Sequence, residues 1–269
     1  MDHLLRTHAP LSSAAWEVVD GEAKTRLTTQ LAARKLVDFD GPKGWDRAAV
    51  STGRVTHLES AVDGVQAGLR SVQALTELRV EFSVSRSELD DIDRGAADPE
   101  LDDLDRAVRQ IALAENVAVF HGFAAGGIQG ITERSTHDAI SIDVDFERYP
   151  NVVAHAVEAM RRVGIDGPYG LAIGPAGYNG IIETTEHGGY LLLDHLRRIL
   201  GGAVVWAPGV EGAVVLSLRG GDFVLSCGQD LSIGYLSHDA SEVRLYLEES
   251  LTFRVLETDA AVVLRSSRA

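Results

Sequence analysis

Glu186 and His187 sit side by side, followed by Gly188-Gly189-Tyr190. A histidine beside a carboxylate titrates near neutral pH, so the pair suits a pH-responsive gate. A solvated loop histidine with no task fits the same residues. Asp143-Val144-Asp145 places two carboxylates at the spacing of some metal sites. However, Ile140, Ile142 and Val144 alternate through it, which predicts a strand with solvent-facing acids. Denser acids follow at Asp90, Asp91 and Asp93, then at Asp102, Asp103 and Asp105. A divalent cation needs convergent oxygen ligands, and the glycine pattern of a calcium-binding loop is missing. These acids read instead as solvated helix starts, favourable at the positive end of the helix dipole. Cys227 is the single cysteine, so no intrachain disulfide forms. It lies in Phe223-Val224-Leu225-Ser226-Cys227 with no nearby histidine to act as base, and reads as a small buried side chain. Gly126-Gly127-Ile128-Gln129-Gly130 lacks the strand-then-helix setting of a dinucleotide site and predicts a turn. No nucleophile elbow, phosphate-binding loop or zinc motif is present. The chain carries no catalytic or metal-binding constellation.

The elements that hold these residues follow from periodicity. Residues 12–37 predict a helix capped by Ser12 or Ser13, with Trp16, Val19, Ala23, Leu27 and Leu31 on one face. Gly41-Pro42 stops it. Residues 46–74 have neither period and predict an extended surface loop. Residues 75–84 alternate, with Leu78, Val80, Phe82 and Val84 on one face, and predict a half-buried strand. Residues 86–124 predict helices, the longer one carrying Leu104, Val108, Ile111, Leu113 and Val117. Helices over 152–163, 176–185 and 191–200 then mix with strands over 169–173, 203–206 and 213–218. Final strands over 222–226, 243–255 and 260–264 are expected to return to the first domain. The whole predicts an α+β protein.

The bulk composition narrows the function. The 269 residues are 45% hydrophobic, ample for a core. Forty acids against 25 Lys and Arg give a net charge of −15, which argues against a nucleic-acid grip. No apolar run reaches the length of a membrane helix, and the start lacks a secretory h-region, so a cytoplasmic protein is expected.

Several separated segments carry a resemblance. They are Ala9-Pro10-Leu11 with Trp16, Arg34-Lys35-Leu36-Val37-Asp38, Gly41-Pro42-Lys43-Gly44-Trp45, Arg219-Gly220-Gly221-Asp222-Phe223, and Gly228-Gln229-Asp230-Leu231-Ser232-Ile233-Gly234-Tyr235. In this order they resemble the encapsulins, shell proteins of bacterial and archaeal nanocompartments. The resemblance implies the α+β Hong Kong 97-type major capsid protein fold. It divides the chain into an N-terminal helix and arm (1–45), an extended loop (46–74), a peripheral domain (75–124 and 222–269) and an axial domain (125–221).

The function implied is that of a non-enzymatic type 1 shell protomer. Sixty copies, the family's smallest icosahedron, would enclose a cargo enzyme docked by its C-terminal peptide. Dye-decolourising peroxidases and ferritin-like proteins are the implied cargos, in oxidative-stress defence or iron storage. The cargo site carried over is Arg34 and Asp38, one turn apart on the predicted first helix, with Asp230, Leu231 and Ile233. An internal Arg34–Asp230 salt bridge fits these residues equally. The resemblance places Glu183, Glu186, His187, Gly188, Gly189 and Tyr190 at a five-fold pore. Ser87 stands where flavin-binding members carry tryptophan, so no flavin is expected by that route. Partners other than cargo and further copies, whether nucleic acid or membrane, are not expected. The rival readings are a phage major capsid protein and a free soluble hydrolase or bacteriocin-like enzyme.

Overall fold

In a computed structural model, which describes residues 3–142, 146–185 and 191–266, the chain forms seven helices and twelve strands. They run α1 (Ser13–Gln30), β1 (Asp38–Asp40), β2 (Ala49–Leu58), β3 (Ala67–Ala74), β4 (Thr76–Ser85), α2 (Arg86–Asp93) and α3 (Asp102–Phe120). Then come α4 (Ile131–Arg134), β5 (Ile140–Ile142), α5 (Tyr149–Arg162), β6 (Tyr169–Ile173), α6 (Pro175–Glu183) and α7 (Leu192–Leu200). The last are β7 (Val204–Trp206), β8 (Ala213–Ser217), β9 (Phe223–Cys227), β10 (Ser232–His238), β11 (Glu242–Val255) and β12 (Ala261–Ser266).

β11 is the axis of the first sheet. One edge pairs antiparallel with β4 from Glu242↔Ser85 to Leu251↔Thr76. The other pairs with β10 and then β9, and β1 adds in parallel beside β9. Leu78, Val80, Phe82 and Val84 of β4 turn inward as their alternation requires. They meet α1, α2 and α3 in one apolar core with Val19, Leu104, Val108, Ile111 and Leu245. Leu113 departs from the expected stripe and is exposed.

Ser12 caps α1, its hydroxyl accepting from the Ala15 N–H at 3.0 Å. The helix ends at Gln30, short of the expected residue 37. The physical stop is Asn116 of α3: its Oδ1 accepts from the N–H groups of both Ala32 and Ala33, at 3.0 and 3.1 Å. Those donors are thereby taken out of the helical ladder. Arg34 then sits in a 3₁₀ turn, and Asp38 opens β1, so the two do not share a helix.

The second sheet has the order β5-β12-β8-β6-β7, covered by α5, α6 and α7. β12 lies between β5 and β8, with Leu264↔Ile140 on one side and Val262↔Val215 on the other. This corrects the expectation that the last strand returns to the first domain. The chain's end completes the other sheet.

The expected loop at 46–74 contains an antiparallel hairpin of β2 and β3. Val55 and Val72 are exposed on it, as are Leu58 and Leu69. Because both faces are open within one chain, no two-residue alternation was visible in the sequence. Asp143-Val144-Asp145 lies outside the described residues. Gly126–Gly130 forms the expected turn, closed by pairing of Phe123 with Ile128.

The two glycine-rich segments that carry the resemblance are structural joints. In Arg219–Asp222, Gly220 and Gly221 both have positive φ (+84° and +82°), which an L side chain resists. Arg219 closes the turn on the Asp222 carboxylate with bonds of 2.9 and 2.8 Å. The Asp38 carboxylate accepts from the Gly221 N–H at 2.6 Å. Gly234 lies under the Tyr246 ring, where an added Cβ would come within 2.1 Å of a ring carbon.

Candidate docking groove and its buried charge cluster

α1 and the start of β10 line a groove together with Leu4 and Arg6 of the N-terminal arm. The arm is fixed by side chains of several types. The Leu4 carbonyl accepts from the Tyr235 N–H at 2.8 Å. His3 stacks on Trp45 with centroids 4.7 Å apart. Arg6 lies 3.8 Å over Trp16 and pairs with Asp20 at 2.6 Å. A groove of about 420 Å³ is left, with apolar walls from Ala23, Leu27, Leu31, Leu231, Ile233 and Leu247. Arg34 and Asp230 close one end.

Arg34 is held from three sides. Its Nε donates to Glu115 at 2.7 Å, Nη1 to Asp230 at 2.7 Å and Nη2 to Glu249 at 2.9 Å. Phe39 lies beneath the guanidinium at 4.8 Å. Glu115 and Glu249 are fully buried, while Asp230 is 39% exposed at the groove. Burial alone would lower the Arg34 pKa, but Glu115, Glu249 and Asp230 outweigh it and raise it. Three carboxylates around one cation leave excess negative charge in a dry site. Burial, and next the charge of Glu115, push the Glu249 carboxyl well above its ordinary range, against the pull of Arg34. Cys227 borders this cluster. Burial, then Asp230, push its thiol up to about 12, so it stays protonated and unreactive.

The structure thus brings Arg34, Asp230, Leu231 and Ile233 together at one groove and leaves Asp38 out. Asp38 caps the Arg219–Asp222 turn instead. Ile233 is only 3% exposed, a core residue whose edge reaches the groove. Glu115 and Glu249, which complete the cluster, were missed in the sequence. Their only signal was a charge falling at a buried position of α3 and of β11. Of the residues assigned to a pore, Glu183 ends α6 and is exposed; Thr185 beyond it pairs with Leu191. Glu186, His187, Gly188, Gly189 and Tyr190 lie outside the described residues. The acids of α3 are not all solvated, contrary to the expectation: Asp105 is buried and pairs with Arg26 of α1 at 2.7 Å, while Asp103 accepts from the Ser83 N–H at 2.7 Å and pairs with Arg106. Among the described residues, no group of three His, Cys, Asp or Glu side chains gathers for a metal.

Residues 1–252 match the family model described as "encapsulating protein for peroxidase". The chain is 50% identical to the type 1 encapsulin shell protein of Rhodospirillum rubrum, covering 98% of this chain and 97% of that one. The chain belongs to the encapsulin shell-protein family. It is therefore a structural shell protein and not an enzyme. The virus-like particle protein of Pyrococcus furiosus superposes with a TM-score of 0.61 over 91% of this chain and 98% of its own, at 18% identity. A solved chain of Mycobacterium phage Bobi superposes with a TM-score of 0.55 over 89% of this chain and 91% of its own, at 11% identity. These likenesses establish the Hong Kong 97-type capsid fold that encapsulins share with tailed phages.

Proposed function

We propose that copies of this chain close an icosahedral shell of sixty protomers in the cytoplasm and capture a cargo enzyme by a C-terminal peptide laid in the groove between α1 and β10. The groove itself carries this reading: leucine and isoleucine walls interspersed with fixed charged side chains suit an extended peptide with apolar and charged side chains. Lys24, on its rim, has no ion-pair partner among the described residues and suits an acidic group on the peptide. A peroxidase or a ferritin-like protein is the cargo class supported by the matched family's description and by a relative from Pyrococcus furiosus, a ferritin-like–encapsulin fusion 27% identical over 36% of this chain. Ser87 is exposed and hydrogen-bonded to Ser85, and we propose no flavin there. The Glu183–Tyr190 segment is proposed to border a pore.

Size-exclusion chromatography with negative-stain microscopy tests the shell. The expected particle is hollow, about sixty times the 28.9 kDa chain, and free of nucleic acid. A nucleic-acid-filled particle would favour the phage-capsid reading, and a monomer the free-enzyme reading. Thr28→Trp, an exposed position that fills the groove, is expected to abolish loading of a peptide-tagged cargo while shells still form. Full loading in this variant would move docking elsewhere. Arg34 and Ile233 are poor probes, because both are built into the core around the groove.

A further inference from the structure

A second cavity, of about 340 Å³, lies at the base of the β2–β3 hairpin, where it meets the end of β11. Arg54, Arg134 and Arg254 line it together with Thr52, Gln73 and Gln129, and no acid does. In a chain with fifteen more acids than bases, none of these three arginines makes an ion pair or side-chain hydrogen bond among the described residues. The Arg254 Nε is buried with no acceptor at all. A buried guanidinium N–H without an acceptor is costly, and with the exposed Arg54 and Arg134 beside it the site suits an oxyanion.

The complementary surface is at the other end of β11. There Glu242 pairs with Ser85, the cap of α2, and the connection from α2 to α3 follows. Asp90, Asp98 and Glu100 of that region are exposed and form no ion pair among the described residues. Fourteen extended residues separate the two ends by roughly 45 Å, so the patches cannot meet within one chain.

We propose that the Arg54–Arg134–Arg254 pocket receives carboxylates from the α2–α3 region of a neighbouring copy of this chain. This rests on the shell reading above. Opposite charges at opposite ends of one strand make a head-to-tail contact, the type that closes into a ring about a rotation axis. The pairing also fixes which end of each copy meets the next, because like ends repel.

The test follows urea-induced dissociation of assembled shells by light scattering, using Arg54→Gln/Arg134→Gln, Asp98→Asn/Glu100→Gln and their combination. All four positions are exposed, and circular dichroism confirms that each chain stays folded. Each pair is expected to lose at least about threefold of assembled protein at the wild-type midpoint. The combination is expected to be no worse than either pair, because both remove the same contact. Arg134→Glu with Asp98→Lys is expected to recover part of the loss seen with Arg134→Glu alone. Unchanged midpoints for either pair, or fully additive losses, would overturn the proposal. It would also fail if inorganic phosphate raised the wild-type midpoint but not that of Arg54→Gln/Arg134→Gln, since the pocket would then hold a free anion. Absence of any wild-type particle would instead sink the shell reading itself.

Discussion

Arg34 ties the buried core to the groove wall. Its guanidinium hydrogen-bonds the buried carboxyl groups of Glu115 and Glu249 and holds Asp230 at the groove. Removing the cation while Glu115 and Glu249 remain would cost about 3–5 kcal/mol. The protonation of Glu249 makes a sharper prediction. Its folded pKa lies well above 4.5, the ordinary value of a glutamate side chain. A carboxyl raised on folding contributes stability that is complete below that value and is lost as pH rises through the folded pKa. The wild-type unfolding free energy is therefore expected to fall over this window relative to Glu249→Gln by at most about 1.4 kcal/mol per pH unit, and the melting temperature to fall with it. Glu249→Gln keeps the shape and a donor for Glu115 but does not titrate. Parallel pH profiles for the two proteins, measured by differential scanning fluorimetry, would show that Glu249 is not the titrating group.

At the scale of elements, the β2–β3 hairpin is the clearest case of apolar surface that its own chain leaves uncovered. An isolated two-stranded hairpin is marginal in water, and this one exposes Leu58, Leu69, Val55 and Val72 on its two faces. Leu58→Asp/Leu69→Asp is expected to leave the protomer folded and to block particle formation on size exclusion. Normal shells from this variant would mean that the hairpin contributes nothing to assembly. The hairpin was illegible as strands because sequence periodicity records burial within a chain, and this hairpin buries neither face in its own chain. β4 and α3 were legible for the opposite reason: each buries one face in its own core, and the 2-fold and 3.6-fold patterns follow.

At the scale of the whole molecule, the two sheets are tied together by the chain's own path. β11 organises the first, and β12, only a few residues later, enters the second between β5 and β8. Ending the chain at Leu256 is expected to leave Ile142, Val214 and Val215 without their neighbours and to abolish the cooperative thermal transition. A truncated protein melting cooperatively at the wild-type temperature would show that β12 is dispensable.

The sequence by itself determined what depends on near neighbours. This includes the helix cap at Ser12, the alternation of β4, the stripe of α3, the turn at Gly126–Gly130, the inert setting of Cys227 and the order of segments that marks the family. The groove was legible in part, through Arg34, Asp230, Leu231 and Ile233. The tertiary structure alone decided that α1 ends at Gln30, that Asp38 caps a distant turn, that β12 joins the second sheet, and that Glu115 and Glu249 flank Arg34. The reason is physical. Arg34 meets Glu115 across 81 residues of chain and Glu249 across 215. A buried charge takes its meaning from the partner packed against it, and no local period encodes a partner so far along the chain.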